Sequence, residues 1–218
     1  MDAMTDARPY GGRMPDERKS ARRAALIEAG LQLLGTHGVQ ATTVRAVCRQ
    51  AGLSSRYFYE SFANLDELLL AVFDGIMKRT LGRVMAAMRE SDQSVPGLIQ
   101  ALSTSFVEMT LDDPRATRIG FVEAWNSEAL MRRRVPTLHG CATALAAAIT
   151  TLPNHHTADH TAVEVAAFVM VGGLLETILG WLDGALHIDR DTLLRHFSAA
   201  ATATMQQALT TDQNLPTP

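Results

Sequence analysis

The chain has only two cysteines, Cys48 and Cys141, and they lie far apart. That excludes a paired CxxC metal knuckle and a dense disulfide framework, and it fits a reducing cytoplasm. Aromatic residues make up 6% of the sequence, and neither strand-like alternation nor a repeat of fixed period is visible. A β-sandwich and a solenoid are therefore not expected. The longest uncharged apolar run, Val165 to Leu175, is shorter than the roughly 18 residues of a spanning helix. The start, MDAMTDARPYGGRMPDE, has no apolar h-region, so neither a membrane span nor a signal peptide is expected. GxSxG, HExxH, a Gly-rich phosphate loop and paired carboxylates at catalytic spacing are also missing, so the chain does not read as an enzyme. No catalytic residue, metal site or cofactor is expected.

What is present favours helices. Of 218 residues, 47% are hydrophobic, with Ala, Leu, Val and Met dominant, a balance that suits an all-α fold. This length serves either one large domain or a small one beside a larger one. The net charge of -3 is unevenly spread. Residues 1–64 carry nine Lys or Arg and six acids, whereas the remainder carries eleven basic and seventeen acidic residues. A basic head on an acidic body points to a polyanionic partner for the head.

Residues 1–15 hold Pro9, Gly11, Gly12 and Pro15 without apolar periodicity and read as a flexible arm. Ala24, Ile27, Leu31 and Leu34 then follow helical spacing up to Gly38, a C-cap. Thr42 is expected to cap a short second helix built on Val44, Val47, Cys48 and Ala51. Gly52 is expected to turn the chain, and Ser54 to cap a third helix with Phe58 and Phe62 on one face. Two short helices joined by a Gly-containing turn make a helix-turn-helix. With Phe58 and Phe62 inward, Ser55, Arg56 and Tyr57 face outward at the start of the third helix, where a recognition helix reads bases.

Asn64 and Glu67 open a long helix through Leu68, Val72, Phe73 and Ile76. Pro96, Pro114, Pro136 and Pro153 mark further helix starts or kinks. The expected organisation is an arm at 1–15, a DNA-binding head at 16–64, a helical body at 65–211, and a tail at 212–218.

Residues 18 to 73 resemble the N-terminal domain of the tetracycline-repressor-type (TetR) family of bacterial transcriptional regulators. The likeness is carried by AALIEAGLQLLGTHGVQATTVRAV, the AGLS turn, FYESF and DELLLAVF. The resemblance implies a three-helix DNA-binding head, a helical body that binds a small-molecule effector, and a homodimer that represses transcription. It places Thr43 and Arg45 against phosphate and DNA, and Ser54, Ser55, Arg56, Tyr57, Tyr59 and Ser61 at positions that contact bases or backbone. The chain departs from the family at Leu65, where Lys is usual, at Cys48 for a small Ala, and at Ser61 for a common His. The Leu65 change removes an expected phosphate contact and shifts backbone anchoring to Arg22, Arg23 and Arg49.

For the body, the large apolar residues Phe106, Met109, Phe121, Trp125, Leu130, Met131 and Leu138 form the candidate ligand pocket. Glu108, Glu123, Asn126 and His139 are candidate polar partners, each of which also reads as a surface or satisfied polar residue. The two most apolar segments, near the C-terminus, carry more apolar surface than one layer needs. They put Phe168, Gly172, Leu175, Leu179, Phe197, Ala201 and Met205 at a candidate C2 four-helix dimer interface. His155, His156 and His160 include an i, i+4 pair but read as a solvated cluster rather than a metal site, and Arg132 to Arg134 read as an exposed face. The leading expectation is a cytoplasmic repressor, dimeric on a pseudo-palindromic double-stranded DNA operator and released by a small apolar or amphipathic effector. An activator or ligand-independent regulator stands as the alternative, and a small-molecule enzyme using the helical body as the remote one.

Overall fold

A computed structural model describes residues 15–152 and 159–210. Helix α1 (Pro15–His37) starts on a proline, whose missing N–H costs nothing in a first turn, followed by Asp16 and Glu17 at the positive end of the helix dipole. It ends at Gly38, whose φ of 82° suits a residue without Cβ, and the Gly38 N–H donates to the Leu34 carbonyl at 3.1 Å.

A 3-10 turn (Val39–Ala41) follows, and it shifts the next cap by one residue. Thr43, not Thr42, caps α2 (Val44–Ala51), its hydroxyl oxygen accepting from the Ala46 N–H at 3.2 Å. The Thr42 hydroxyl is buried and donates to the Gly38 carbonyl at 2.8 Å, so it is already committed. Gly52 is left-handed at φ 64°, and α3 (Ser55–Tyr59) begins after Ser54, which sits at the cap position without a side-chain capping bond.

Asn64 caps α4 (Leu65–Glu90) by accepting from the Glu67 N–H at 2.9 Å, while the Glu67 carboxylate accepts from the Ala63 N–H at 2.6 Å. α5 (Val95–Asp112) and α6 (Pro114–Phe121) each carry proline in the first turn. A second 3-10 turn (Glu123–Asn126) leads into α7 (Glu128–Thr150), then α8 (His160–Leu182) and α9 (Arg190–Thr210). Pro136 lies inside α7 rather than opening it. Pro153 falls outside the described residues. No strand occurs among the described residues, so the fold is all-α.

Apolar packing divides into connected cores. In the head, Leu26, Val47, Phe58, Phe62 and Leu68 close together, with Phe58 and Phe62 at 0% and 1% exposure. A junction core joins α1 to the body through Leu34, Leu69, Phe73, Ile119 and Leu130. The body core gathers α5, α7, α8 and α9 around Ile99, Ile149, Val163 and Met205, and a smaller cluster holds Val107, Phe121, Leu174 and Ile178. The helix α8 is longer than its uncharged run suggests. By length and composition it could cross a membrane, although core and interface helices of bundles share that signature.

Candidate nucleic-acid interface and effector pocket

The head presents one polar surface beside its apolar core. Thr43, Arg45, Ser54, Ser55, Arg56, Tyr57 and Tyr59 are all exposed, and Ser61 is half-buried. Tyr59 is held edge-on to the buried Phe58 ring at 5.4 Å, so the exposed tyrosine rests on a fixed base. Arg56 pairs with Glu60 at 3.0 Å. Glu60 also lies 3.7 Å from Arg22, whose guanidinium covers the Tyr57 ring at 4.5 Å. Arg23 similarly covers Phe62 at 4.8 Å. Arg22 and Arg23 are thus tied to the reader helix region, while Arg45 and Arg49 are exposed on α2.

The departure at Leu65 has a packing reason. Leu65 is half-buried between the head core and the junction core and adds apolar contact to both.

Below the head, α6 lies between α1 and the interior of the body. Arg115 Nη1 donates to Glu28 at 3.2 Å and to Gln32 at 2.8 Å, while its Nε donates to Asp113 at 2.9 Å. The Arg115 guanidinium beside Asp113 holds that carboxyl below its ordinary value. Arg118 donates to the Thr36 carbonyl at 3.3 Å and to Glu123 at 3.0 Å. Glu123, buried at 4% exposure, also accepts from the Val39 N–H at 2.9 Å. The buried carboxylate is therefore fully engaged at the joint and is not a pocket residue. Gly35 lets α1 and α6 meet backbone to backbone, because a Cβ there would collide with Arg115.

The opposite side of α6 lines a cavity of about 130 Å³. Of the seven candidate pocket residues, Phe106, Met109, Phe121 and Leu138 line it. Trp125 does not: it lies in the 3-10 turn at 62% exposure. Leu130 is buried in the junction core, and Met131 is half-buried away from the cavity wall. Among the polar candidates, Glu108 pairs with Arg190 at 3.0 Å, Asn126 donates to the Val122 carbonyl at 3.4 Å, and His139 lies against Phe168 at 5.2 Å. None of these lines the cavity.

The sequence reading missed the stripe Phe73, Ile76, Met77, Thr80 and Val84 on α4. It continues at helical spacing beyond what the head needs, which was the available signal. It also missed Arg134. Arg132 pairs with Glu128 at 2.7 Å and Arg133 with Asp74 at 2.7 Å on the outside, but Arg134 turns inward. Arg134, Leu138 and Cys141 recur at i, i+4 and i+7, so one face of α7 carries all three to the cavity. Half-burial lowers the Arg134 guanidinium from its usual value and raises the Cys141 thiol.

The expected interface residues separate in the structure. Phe168 and Gly172 are exposed on α8 beside Val165 and Val169, forming an outward apolar row. Leu175 instead lines the cavity, Leu179 and Phe197 pack inside the body, and Ala201 and Met205 are buried there at 5% and 0% exposure. His155 and His156 lie outside the described residues; His160 is exposed at the start of α8.

Residues 26–72 match the model of the bacterial regulatory proteins of the tetR family. The fold is shared with the fatty acid degradation regulator FadR from Bacillus halodurans at 18% identity and a TM-score of 0.66, covering 91% of this chain and 96% of that one. It is similar to a transcriptional regulator from Rhodococcus sp. Rha1, at 20% identity, TM-score 0.63, and coverage of 87% and 99%. It is also similar to a TetR family transcription regulator from Marinobacter aquaeolei VT8, at 18% identity, TM-score 0.58, and coverage of 87% and 97%. The sequence match to the tetR family of bacterial regulatory proteins thus lies in the head, over residues 26–72, and the whole chain shares the all-α fold of these regulators.

Proposed function

We propose that the chain is a ligand-responsive repressor that works in the cytoplasm as a homodimer. Its division into a head at 16–64 and a body at 65–211 follows the cap at Asn64 and is part of this reading. Each α3 reads half of a pseudo-palindromic operator, with Ser55, Arg56, Tyr57 and Tyr59 toward bases and Thr43, Arg45, Ser54 and Ser61 toward the backbone. Phosphates would compete with Glu60 for Arg56 and Arg22.

One observation carries the reading. The short helix α6 lines the cavity with Ala116, Thr117, Gly120 and Phe121 while Arg115 and Arg118 grip α1. An effector that fits one setting of α6 better than another biases the heads through that grip, and coupling of about 1–3 kcal/mol is typical of such linkage. Helix α4 contributes to the same path, because it lines the cavity and packs on α1.

Paired heads must place their α3 helices about 34–36 Å apart to enter successive major grooves. The row Val165, Phe168, Val169 and Gly172 is the surface assigned to pairing.

An operator selected from random DNA tests the reader. Arg56→Ala and Tyr59→Ala should lose or redirect binding in gel-shift titrations while melting like the parent protein. Unchanged binding by both variants sinks α3 as the reader. Sedimentation velocity tests pairing: Val169→Arg should shift the species toward monomer, and an unchanged dimer removes α8 from the interface.

A further inference from the structure

Arg134 is the one charged group among the described residues lining the cavity. No carboxylate pairs with it among the described residues: its Nε donates to the Gly120 carbonyl at 3.1 Å, and its guanidinium lies over the Trp125 ring at 5.2 Å. The terminal nitrogens have no hydrogen-bond partner among the described residues. A half-buried guanidinium whose two terminal nitrogens, with four N–H donors, have no protein partner is suited to an anion that can take them in place of water.

The other polar groups of the wall do not compete for that role. The Thr110 hydroxyl donates to the Phe106 carbonyl at 2.9 Å, and Thr117 donates to the Thr110 carbonyl at 3.0 Å. Burial raises the Cys141 thiol and keeps it neutral. Thr80 on α4 adds one neutral hydroxyl, and the rest of the wall is apolar, from Ile76 and Val84 on α4 to Leu174 on α8. The site therefore offers one cationic point at the edge of an apolar volume.

We propose that the cavity binds an amphipathic monoanion, an unbranched aliphatic carboxylate, with its head on the terminal nitrogens of Arg134 and its chain between α4, α5 and α8. This rests on the reading of the cavity as the effector site. One guanidinium with its Nε already occupied suits the single charge of a carboxylate, whose two oxygens match the two remaining nitrogens. Arg134 holds Gly120 at the end of α6 and Trp125 just beyond it. Between these two lies Glu123, which accepts from the Val39 N–H in the head's 3-10 turn. Recruiting the guanidinium to a ligand thus acts on the segment that joins cavity to head.

The test is calorimetric titration of the full chain with octanoate, octanol and octylamine. Parent protein should bind octanoate more tightly than octanol and octylamine least. Arg134→Met should weaken octanoate by roughly tenfold to a hundredfold, the size of a charge-assisted hydrogen bond, and leave octanol within about twofold. Arg134→Lys should retain part of the preference, and thermal melts check that both variants fold. Equal affinity of the parent for octanoate and octanol, undiminished octanoate binding by Arg134→Met, or no octanoate binding at all overturns the proposal. Val171→Phe, which fills the wall, separates the two levels. If it blocks octanol while octanoate holds no advantage in the parent, the cavity reading stands and anion selection falls. If both ligands bind Val171→Phe as tightly as the parent, the cavity is not the site and both fall.

Discussion

The head and the body are both helical, yet they treat apolar surface in opposite ways. The head seals Phe58 and Phe62 almost completely and turns a polar, basic surface outward. The body leaves its interior underfilled, with a cavity beside α6 and an uncovered row on α8 at Val165, Phe168 and Val169. A tightly filled core keeps a reading surface in one shape, whereas unfilled volume and uncovered area are places for other molecules. In this fold, packing density divides along the same line as the proposed functions.

The contrast breaks most severely at Phe58. Phe58→Ala removes a fully buried ring and should cost about 3–5 kcal/mol in denaturant unfolding. Val171→Phe in the body is expected to be tolerated. Equal losses in the two regions would erase the distinction between a filled head and an underfilled body.

At the joint, Glu123→Ala strips the Val39 N–H and Arg118 of a shared acceptor. We expect a loss of about 2 kcal/mol, with hydrogen exchange rising at Val39 before it rises at Val47. Uniform exchange would mean that the two regions open as one.

The smallest effect is a pH dependence. Asp113, whose carboxyl is lowered mainly by the hydrogen bond from Arg115, contributes stability that is complete above its unfolded value near 4. That contribution is lost as pH falls through the lower folded value. The cap and ion pair together should be worth about 1 kcal/mol. Asp113→Asn should flatten that part of the acid limb measured by urea unfolding.

How far each region was legible in the sequence follows the same contrast. In the head, Gly52, Phe58 and Phe62 are local signals, a left-handed turn and two rings one helical turn apart, and the structure places them as read. Thr42 and Thr43 are chemically equal caps, so the choice depended on the 3-10 turn that precedes them. In the body, the side that a helix shows to a cavity depends on neighbours far away in the chain. Trp125 and Leu130 share the apolar character of Phe121 and Leu138 but lie on a turn and in the junction. Arg134 sits in a run of three arginines that looks uniform, and only its helical phase with Leu138 and Cys141 distinguishes it. Pro136 is accommodated within α7, so proline alone did not mark a boundary.

The bare Gly35 has a mechanical consequence. Most helix pairs are separated by a layer of side chains that can hop between rotamers and soak up a small shift. At Gly35 that layer is missing, and α1 bears directly on the Arg115 backbone and Cβ. Under the proposed coupling, a shift of α6 would meet no side-chain layer here to absorb it before it reached α1.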